Sequence, residues 1–464
     1  MRHRWMFLFL VLTLSLPLTM IPAADQSGAL TPELLESFRR ALVPDAPTRA
    51  TINAVTSNNA KKLARNQELA RQIDHHFNFK IKTSGITDQK QTGRCWMYAA
   101  LNLLRPAVIK QYGIDKFEFS QNHLFFWDKL EKANLFLEAM ITTRKAKPDD
   151  REFLVLLDDP VADGGWWNYV VELIEKYGVV PQDIMPETVN TENSNIMVTI
   201  INEYLLKSAA EIRRMAAEGK KAEELRQYKV GVLKQVYRLL VIHLGQPPQQ
   251  FTWRFEDKDH QIVTKTCTPL EFYRETVKVN LRDYLVLVDH PSHPYNEHYV
   301  IAYCRNLSNA ADLDFVNLEI GRIKEFALKA LLDSLPIWFA ADVSHDMDRN
   351  GIMAPGIMDY EALYGIDLSL NKRDRFNYRI SAPSHAMAII GVDTVAGRPR
   401  QWLVENSWGA NTGNQGYWTM LDPWFDSNIY AIIIPRQYLT NDVLQMFTRK
   451  PKELPVWDPM RRQF

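Results

Sequence analysis

Three side chains in this sequence could together activate a sulfur nucleophile, although they lie far apart along the chain. The stretch Gln89-Lys-Gln-Thr-Gly93-Arg94-Cys95-Trp96 places a thiol just ahead of Met97, Ala100, Leu101 and Leu104. Those apolar residues recur at i, i+3, i+4 and i+7, which predicts a helix. Cys95 would open that helix, where unpaired backbone N–H groups and the positive end of the helix dipole favour thiolate, the reactive form. Gly93 lets the backbone approach a bound molecule closely. Gln89, six residues before the thiol, could offer a side-chain N–H to a developing oxyanion, alongside the Cys95 backbone N–H.

A thiol nucleophile needs a base, and the base needs a group to fix its tautomer. Ser384-His385-Ala386 opens an apolar run that ends at Val392, so His385 sits at the edge of a buried strand. Glu405-Asn406-Ser407-Trp408-Gly409 follows a second predicted strand. It supplies Asn406 to orient the imidazole, with Trp408 to shield that contact from water. Singly, each piece reads more plainly as a buried thiol, a satisfied polar residue or a turn. Their conjunction in this order is what a cysteine-nucleophile mechanism uses.

The elements that must hold these residues divide the chain. Residues 25–80 read as a polar N-terminal arm, with Thr31-Pro32-Glu33 a helix start. Residues 81–130 hold a loop and the Cys95 helix, with Pro106 at or near its end. Residues 131–283 read as a helical insertion, including one long periodic stretch from Ile196 to Leu244 stopped by Gly245-Gln-Pro-Pro248. Residues 284–445 are β-rich, with runs at Tyr284–Asp289, Ile337–Asp342, His385–Val392, Trp402–Glu405, Gly416–Met420 and Tyr430–Pro435. A tail, 446–464, completes an α+β chain without internal repeats.

Composition limits the alternatives. Hydrophobic residues are 46% and charged residues 24% of 464, an ordinary globular profile with a core large enough to need no staples. Lys+Arg and Asp+Glu are both 55, which excludes a general electrostatic grip on nucleic acid. Three cysteines, Cys95, Cys267 and Cys304, do not make a disulfide scaffold, and the latter two read as small buried hydrophobes. Arg2 and Arg4, then an apolar run from Trp5 to Ile21 and Pro22-Ala-Ala24, read as an export signal over residues 1–24, giving a periplasmic or secreted protein. Thr13, Ser15, Pro17 and Thr19 interrupt the run, so no stable membrane span is expected.

The catalytic segments resemble those of papain-like cysteine peptidases, and the whole of 50–464 is most similar to the bleomycin hydrolase / aminopeptidase C branch. Thr92-Gly-Arg-Cys-Trp96 stands where the papain pattern has Cys-Gly-Ser-Cys-Trp. His385 follows Cys95 at about twice the usual separation of 130–150 residues, and the helical insertion accounts for the excess. Further similar stretches are Asp163-Gly-Gly165, Glu175-Lys-Tyr-Gly-Val-Val-Pro181, Thr268-Pro-Leu-Glu-Phe-Tyr-Arg274, Asp342-Val343 and Leu454-Pro-Val-Trp-Asp-Pro-Met460. The resemblance implies a papain-like fold with a helical domain carrying the nucleophile, a β-barrel-like domain carrying His385 and Asn406, and Trp96 and Trp408 in support. It also implies a homohexamer, no cofactor and no metal. The C-terminal carboxylate, here on Phe464, would meet the free amine of a peptide substrate and make the enzyme an aminopeptidase. The chain departs from the branch at Trp166, where a glutamine is usual, at its bulky end Arg461-Arg-Gln-Phe464, and in its export signal.

Other signals carry less. Asp346-Met-Asp348-Arg-Asn350-Gly351 mimics a calcium loop, but its twelfth position is Ile357. His290, His293 and His298 cluster with Asp289 and Glu297; their Pro-rich spacing and the family's metal independence favour a plain loop. His75-His76 reads as surface, and Asn306-Leu-Ser308 is a glycosylation sequon. The expected activity is a cysteine aminopeptidase. The alternatives are an endopeptidase with an open cleft and a non-catalytic scaffold that keeps the fold.

Overall fold

The computed structural model describes residues 28–461; the expected export signal and Phe464 lie outside the described residues. Two compact units divide the chain after Leu63. The first carries short helices Pro32–Ala41 and Ala46–Ser57. Thr31 and Asp45 cap them by accepting the N–H of Leu34 and Thr48, and Pro32 and Pro47 fill first-turn positions where no N–H is needed.

In the second unit the helix opened by Cys95 runs Cys95–Tyr112, with Met97, Ala100, Leu101 and Leu104 all buried. Pro106 does not end it. A proline forfeits one intrahelical hydrogen bond, and burial of the flanking apolar face outweighs that loss. The stop is Gly113, in a left-handed conformation at φ 62°, whose N–H returns to Ile109 O.

Helix Gln121–Thr142 packs against an antiparallel pair, Asn195–Ala217 and Ala222–Leu244. The periodicity predicts the latter two as one continuous stretch, Ile196 to Leu244. They break at Glu218–Lys221, where Gly219 takes φ 88°, and the turn lets both apolar stripes bury against the same neighbour. A two-stranded hairpin, Phe251–Glu256 with Ile262–Cys267, interrupts the region expected to be a helical insertion.

The β-rich half is one eleven-stranded mixed sheet. At its centre Ile337–Ala341 is buried at every position and pairs antiparallel with His385–Val395. Its side chains alternate in destination. Trp338 and Ala340 join the core built on the Cys95 helix, whereas Ile337, Phe339 and Ala341 join a second core closed by helix Ile320–Leu332. That two-sided burial explains the near-continuous apolar runs. His385–Val395 pairs onward with Arg398–Glu405, and that strand with Tyr417–Leu421. Glu297–Ile301, Asp314–Asn317 and Lys452–Leu454 add strands at the far edge. Asn306 of the sequon is fully buried, and its Nδ2 donates to Asp128 Oδ1 at 3.1 Å. Among the described residues no helix is long and apolar enough to cross a membrane.

Candidate active site

Cys95 is the first residue of its helix, and no side chain caps that end. The backbone N–H groups of Ala386, of Trp96 and of its own residue favour its thiolate. Ala386 follows His385 on the same strand, so this influence on the thiol comes from the residue next to the imidazole. Cys95 and His385 are both buried, at 2% and 3% exposure. Burial pushes the thiol up to about 12 and the imidazole down to about 4, the latter only partly offset by Asn406. Each shift penalises charging one group alone. Proton transfer between them charges both together.

The tautomer of His385 follows from the backbone. Ser407 N–H, which can only donate, lies 2.7 Å from one amide atom of Asn406, so that atom is Oδ1. His385 Nε2 lies 2.8 Å from the same oxygen and must therefore carry the ring proton. Nδ1 is left with its lone pair, as a base requires. Trp408 stacks on the imidazole, ring centroids 4.5 Å apart and planes 27° apart, which covers this contact. Asn406 is itself 1% exposed.

Gln89 joins this cluster through Ser407. Gln89 N donates to Ser407 O at 2.8 Å, and Ser407 Oγ donates to Gln89 Oε1 at 2.6 Å. The amide orientation is thereby fixed, with Nε2 donating to Thr92 O at 2.7 Å. One Nε2–H remains for an oxyanion. Gly409 takes φ 75° beside this loop, and a Cβ there would lie 2.8 Å from Asp88 Oδ2.

Trp96 holds the other wall. Its Nε1 donates to Asp163 O at 2.9 Å, and its backbone oxygen accepts from Trp338 Nε1 at 3.1 Å. A Cβ at Gly165 would fall 2.7 Å from the Trp96 ring, so the backbone there lies against the indole. Trp166 is buried beside Trp338, ring centroids 6.4 Å apart.

Three further residues take part without a local signal in the sequence. Asp163 accepts the N–H of Gly93 at 3.2 Å and the hydroxyl of Ser194 at 2.5 Å, and pairs with Lys129 at 2.7 Å. Burial raises its carboxyl, but Lys129 and these hydrogen bonds outweigh it and bring it down to about 2. Arg94, wholly buried, forks onto Glu187 at 3.2 and 2.7 Å and reaches Thr191 O at 2.6 Å, which pins the residue before the nucleophile. Arg105 of the Cys95 helix pairs with Glu405 at 3.1 Å, tying that helix to the strand that immediately precedes Asn406. Only partners brought from distant segments reveal these roles.

Other sequence candidates separate. Asp348 of the calcium-like loop pairs with Arg65 at 2.7 Å, and Ile357 is core. Cys304 is fully buried, its thiol pushed up to about 12 by burial, and Cys267 is also buried. The expected histidine cluster does not form as grouped. His298 pairs with Asp314 at 3.0 Å, Glu297 with Lys452 at 3.0 Å, and Asp289 with Lys372 at 2.5 Å. Among the described residues only His290 and His293 of that group meet, and Asp458 joins them.

Comparison with known proteins agrees with this geometry. The model of the Peptidase C1-like family matches residues 29–461. Aminopeptidase C of Lactobacillus delbrueckii subsp. lactis is 35% identical over 92% of this chain and 97% of its own. Bleomycin hydrolase of Homo sapiens is 33% identical over 94% of this chain and 98% of its own. A crystal structure of PepW from Lactobacillus rhamnosis superposes with a TM-score of 0.91 at 35% identity, covering 94% of this chain and all of that one. With a match of this extent in sequence and in fold, the chain belongs to the Peptidase C1-like family and has the papain-like fold of that family.

Proposed function

We propose that the protein is a cysteine-type aminopeptidase that removes N-terminal residues from peptides. Cys95 is the nucleophile, His385 the general base and acid, Asn406 its orienting partner, and Gln89 an oxyanion donor. The observation that carries this reading is the shared Oδ1 of Asn406, which leaves His385 Nδ1 as the basic nitrogen next to a helix-opening thiol. The relatives named aminopeptidase C and bleomycin hydrolase support the substrate class.

In the reaction, the Cys95 proton passes to His385 Nδ1 and the thiolate attacks the first peptide carbonyl. Cys95 N–H and the spare Gln89 Nε2–H hold the oxygen that becomes negative. Collapse expels the shortened peptide as an amine, which takes the proton from His385. Water then gives a proton to His385 and adds to the thioester, releasing the amino acid and restoring the thiol. Restriction to the free N-terminus we assign to the Phe464 carboxylate, by resemblance to the branch. The same resemblance supports a homohexamer, which sedentation of the purified chain by analytical ultracentrifugation would test. Arg2, Arg4 and the apolar run after them support export, which N-terminal sequencing of the mature chain would test.

The activity test uses free-amine aminoacyl fluorogenic amides and their N-acetylated twins, with the reduced protein beside Cys95→Ala. Turnover of the free-amine set alone, lost in the variant, is expected. Turnover of the acetylated set would replace the aminopeptidase with an endopeptidase. No turnover of either would leave a scaffold.

A further inference from the structure

Away from the catalytic cluster, a second group of side chains converges on one point. His290 and His293 occupy a turn in which His293 N–H donates to His290 O at 3.2 Å, and their ring centroids lie 4.3 Å apart. Lys452–Leu454 pairs in parallel with Tyr299–Ile301 and carries the chain back to this turn. Asp458 thereby meets both rings. His290 Nε2 lies 3.3 and 3.4 Å from its two carboxylate oxygens, and His293 Nε2 lies 3.5 Å from Oδ2. One ligand atom from each residue falls within 4.8 Å of the others.

Two features go beyond a hydrogen-bonded turn. Charge-assisted N–H to carboxylate bonds are about 2.7–2.9 Å long, and all three separations here are longer. They lie near the edge of a tetrahedron, about 3.3–3.4 Å, around an ion with bonds of about 2.0–2.1 Å, and the widest separation of the three ligand atoms, within 4.8 Å, would close on binding. The second feature is charge. The Asp458 side chain is only 5% exposed, and among the described residues no lysine or arginine pairs with it; its ion-pair partners are these two imidazoles. Met460 N–H also donates to it, at 2.9 Å. A buried carboxylate needs a positive partner, and a divalent cation at this point would supply one. The neighbouring acids do not compete, because Asp289 is held by Lys372 and Tyr295.

We propose that His290, His293 and Asp458 form a binding site for a borderline transition-metal ion, Zn2+ by ligand type, with the fourth position open on the partly exposed His293 side. Two imidazoles and one carboxylate suit zinc, whereas calcium and magnesium take oxygen ligands. A close histidine pair with a third ligand from far along the chain makes the ion a clip. It fastens the segment after Leu454 to the β-rich half, independently of the catalytic reading.

The test titrates metal-free, full-length Cys95→Ala protein with Zn2+ by calorimetry, so that Cys95 cannot supply a ligand. One ion per chain with micromolar or tighter affinity is expected, with a rise in Tm and a tetrahedral visible spectrum on Co2+ substitution. His293→Gln, at a partly exposed position, and Asp458→Asn should each weaken binding tenfold or more while circular dichroism is unchanged. Should Asp458→Asn fail to fold, His293→Gln alone decides. No binding at roughly 100 μM Zn2+, or binding unchanged in His293→Gln, would overturn the site and leave a hydrogen-bonded turn.

Discussion

Asn406 acts on His385 through a single oxygen that also takes the Ser407 N–H. Asn406→Ala should therefore cost about 100-fold or more in kcat/KM, the scale of positioned acid–base catalysis, with the fold retained. Steady-state kinetics on a free-amine substrate checks this. Ser407 poses a finer question, because its hydroxyl fixes which way the Gln89 amide points. Ser407→Ala removes one hydrogen bond of about 1 kcal/mol and frees that amide to turn. The expected result is a 5- to 10-fold fall in kcat, roughly that energy, with KM little changed. A rise in KM alone would mean that Gln89 acts in binding rather than on the oxyanion.

Between elements, the two halves of the site are joined by buried charge. Arg105 on the nucleophile helix and Glu405 on the asparagine strand are each 1% exposed and 3.1 Å apart. Arg105→Met strands a buried carboxylate and should destabilise the protein by about 3–5 kcal/mol; adding Glu405→Leu should restore much of it. Chemical denaturation of the two variants measures the difference. Gly165→Ala would drive a methyl into the Trp96 ring and should cost about 1–3 kcal/mol, with loss of activity as the wall shifts. The elements that bear the proposed catalytic residues were legible in the sequence because their signals are local. The Cys95 helix has its apolar face, and the central strands have unbroken apolar runs set by burial on two sides. Elements that alternate or break were not. The hairpin Phe251–Cys267 turns every second residue to solvent, and Glu297–Ile301 opens with polar residues. Neither gives a run. Asp163, Arg94, Ser407 and Asp458 matter through partners from distant segments, which no window along the chain contains.

For the molecule as a whole, pH dependence follows from buried neutral groups. His385 and His123 are both lowered to about 4 by burial, offset in part by their hydrogen bonds to Asn406 and Tyr177 O. Their folded values lie below the ordinary 6.5, so the unfolded chain binds more protons between those limits. Stability is full above about pH 6.5 and falls towards pH 4. Cys95 is raised, so its contribution is full below about pH 9 and is lost as pH climbs towards 12. Thermal unfolding across pH should show a plateau between these windows. His385→Gln should flatten the acid side by up to about 3 kcal/mol at pH 4. An unchanged acid slope would mean that His385 is solvated in solution. The buried Asn306 bears on how the protein can be made. In a eukaryotic secretory host, oligosaccharide is added to Asn-X-Ser sites before a chain has folded. A sugar on this amide would displace the hydrogen bond to Asp128 inside a sealed interior and bar the chain from its native state. Yield in such a host should therefore rise when Ser308, whose hydroxyl accepts from Asn134, is replaced by alanine, whereas a bacterial host should show no such gain.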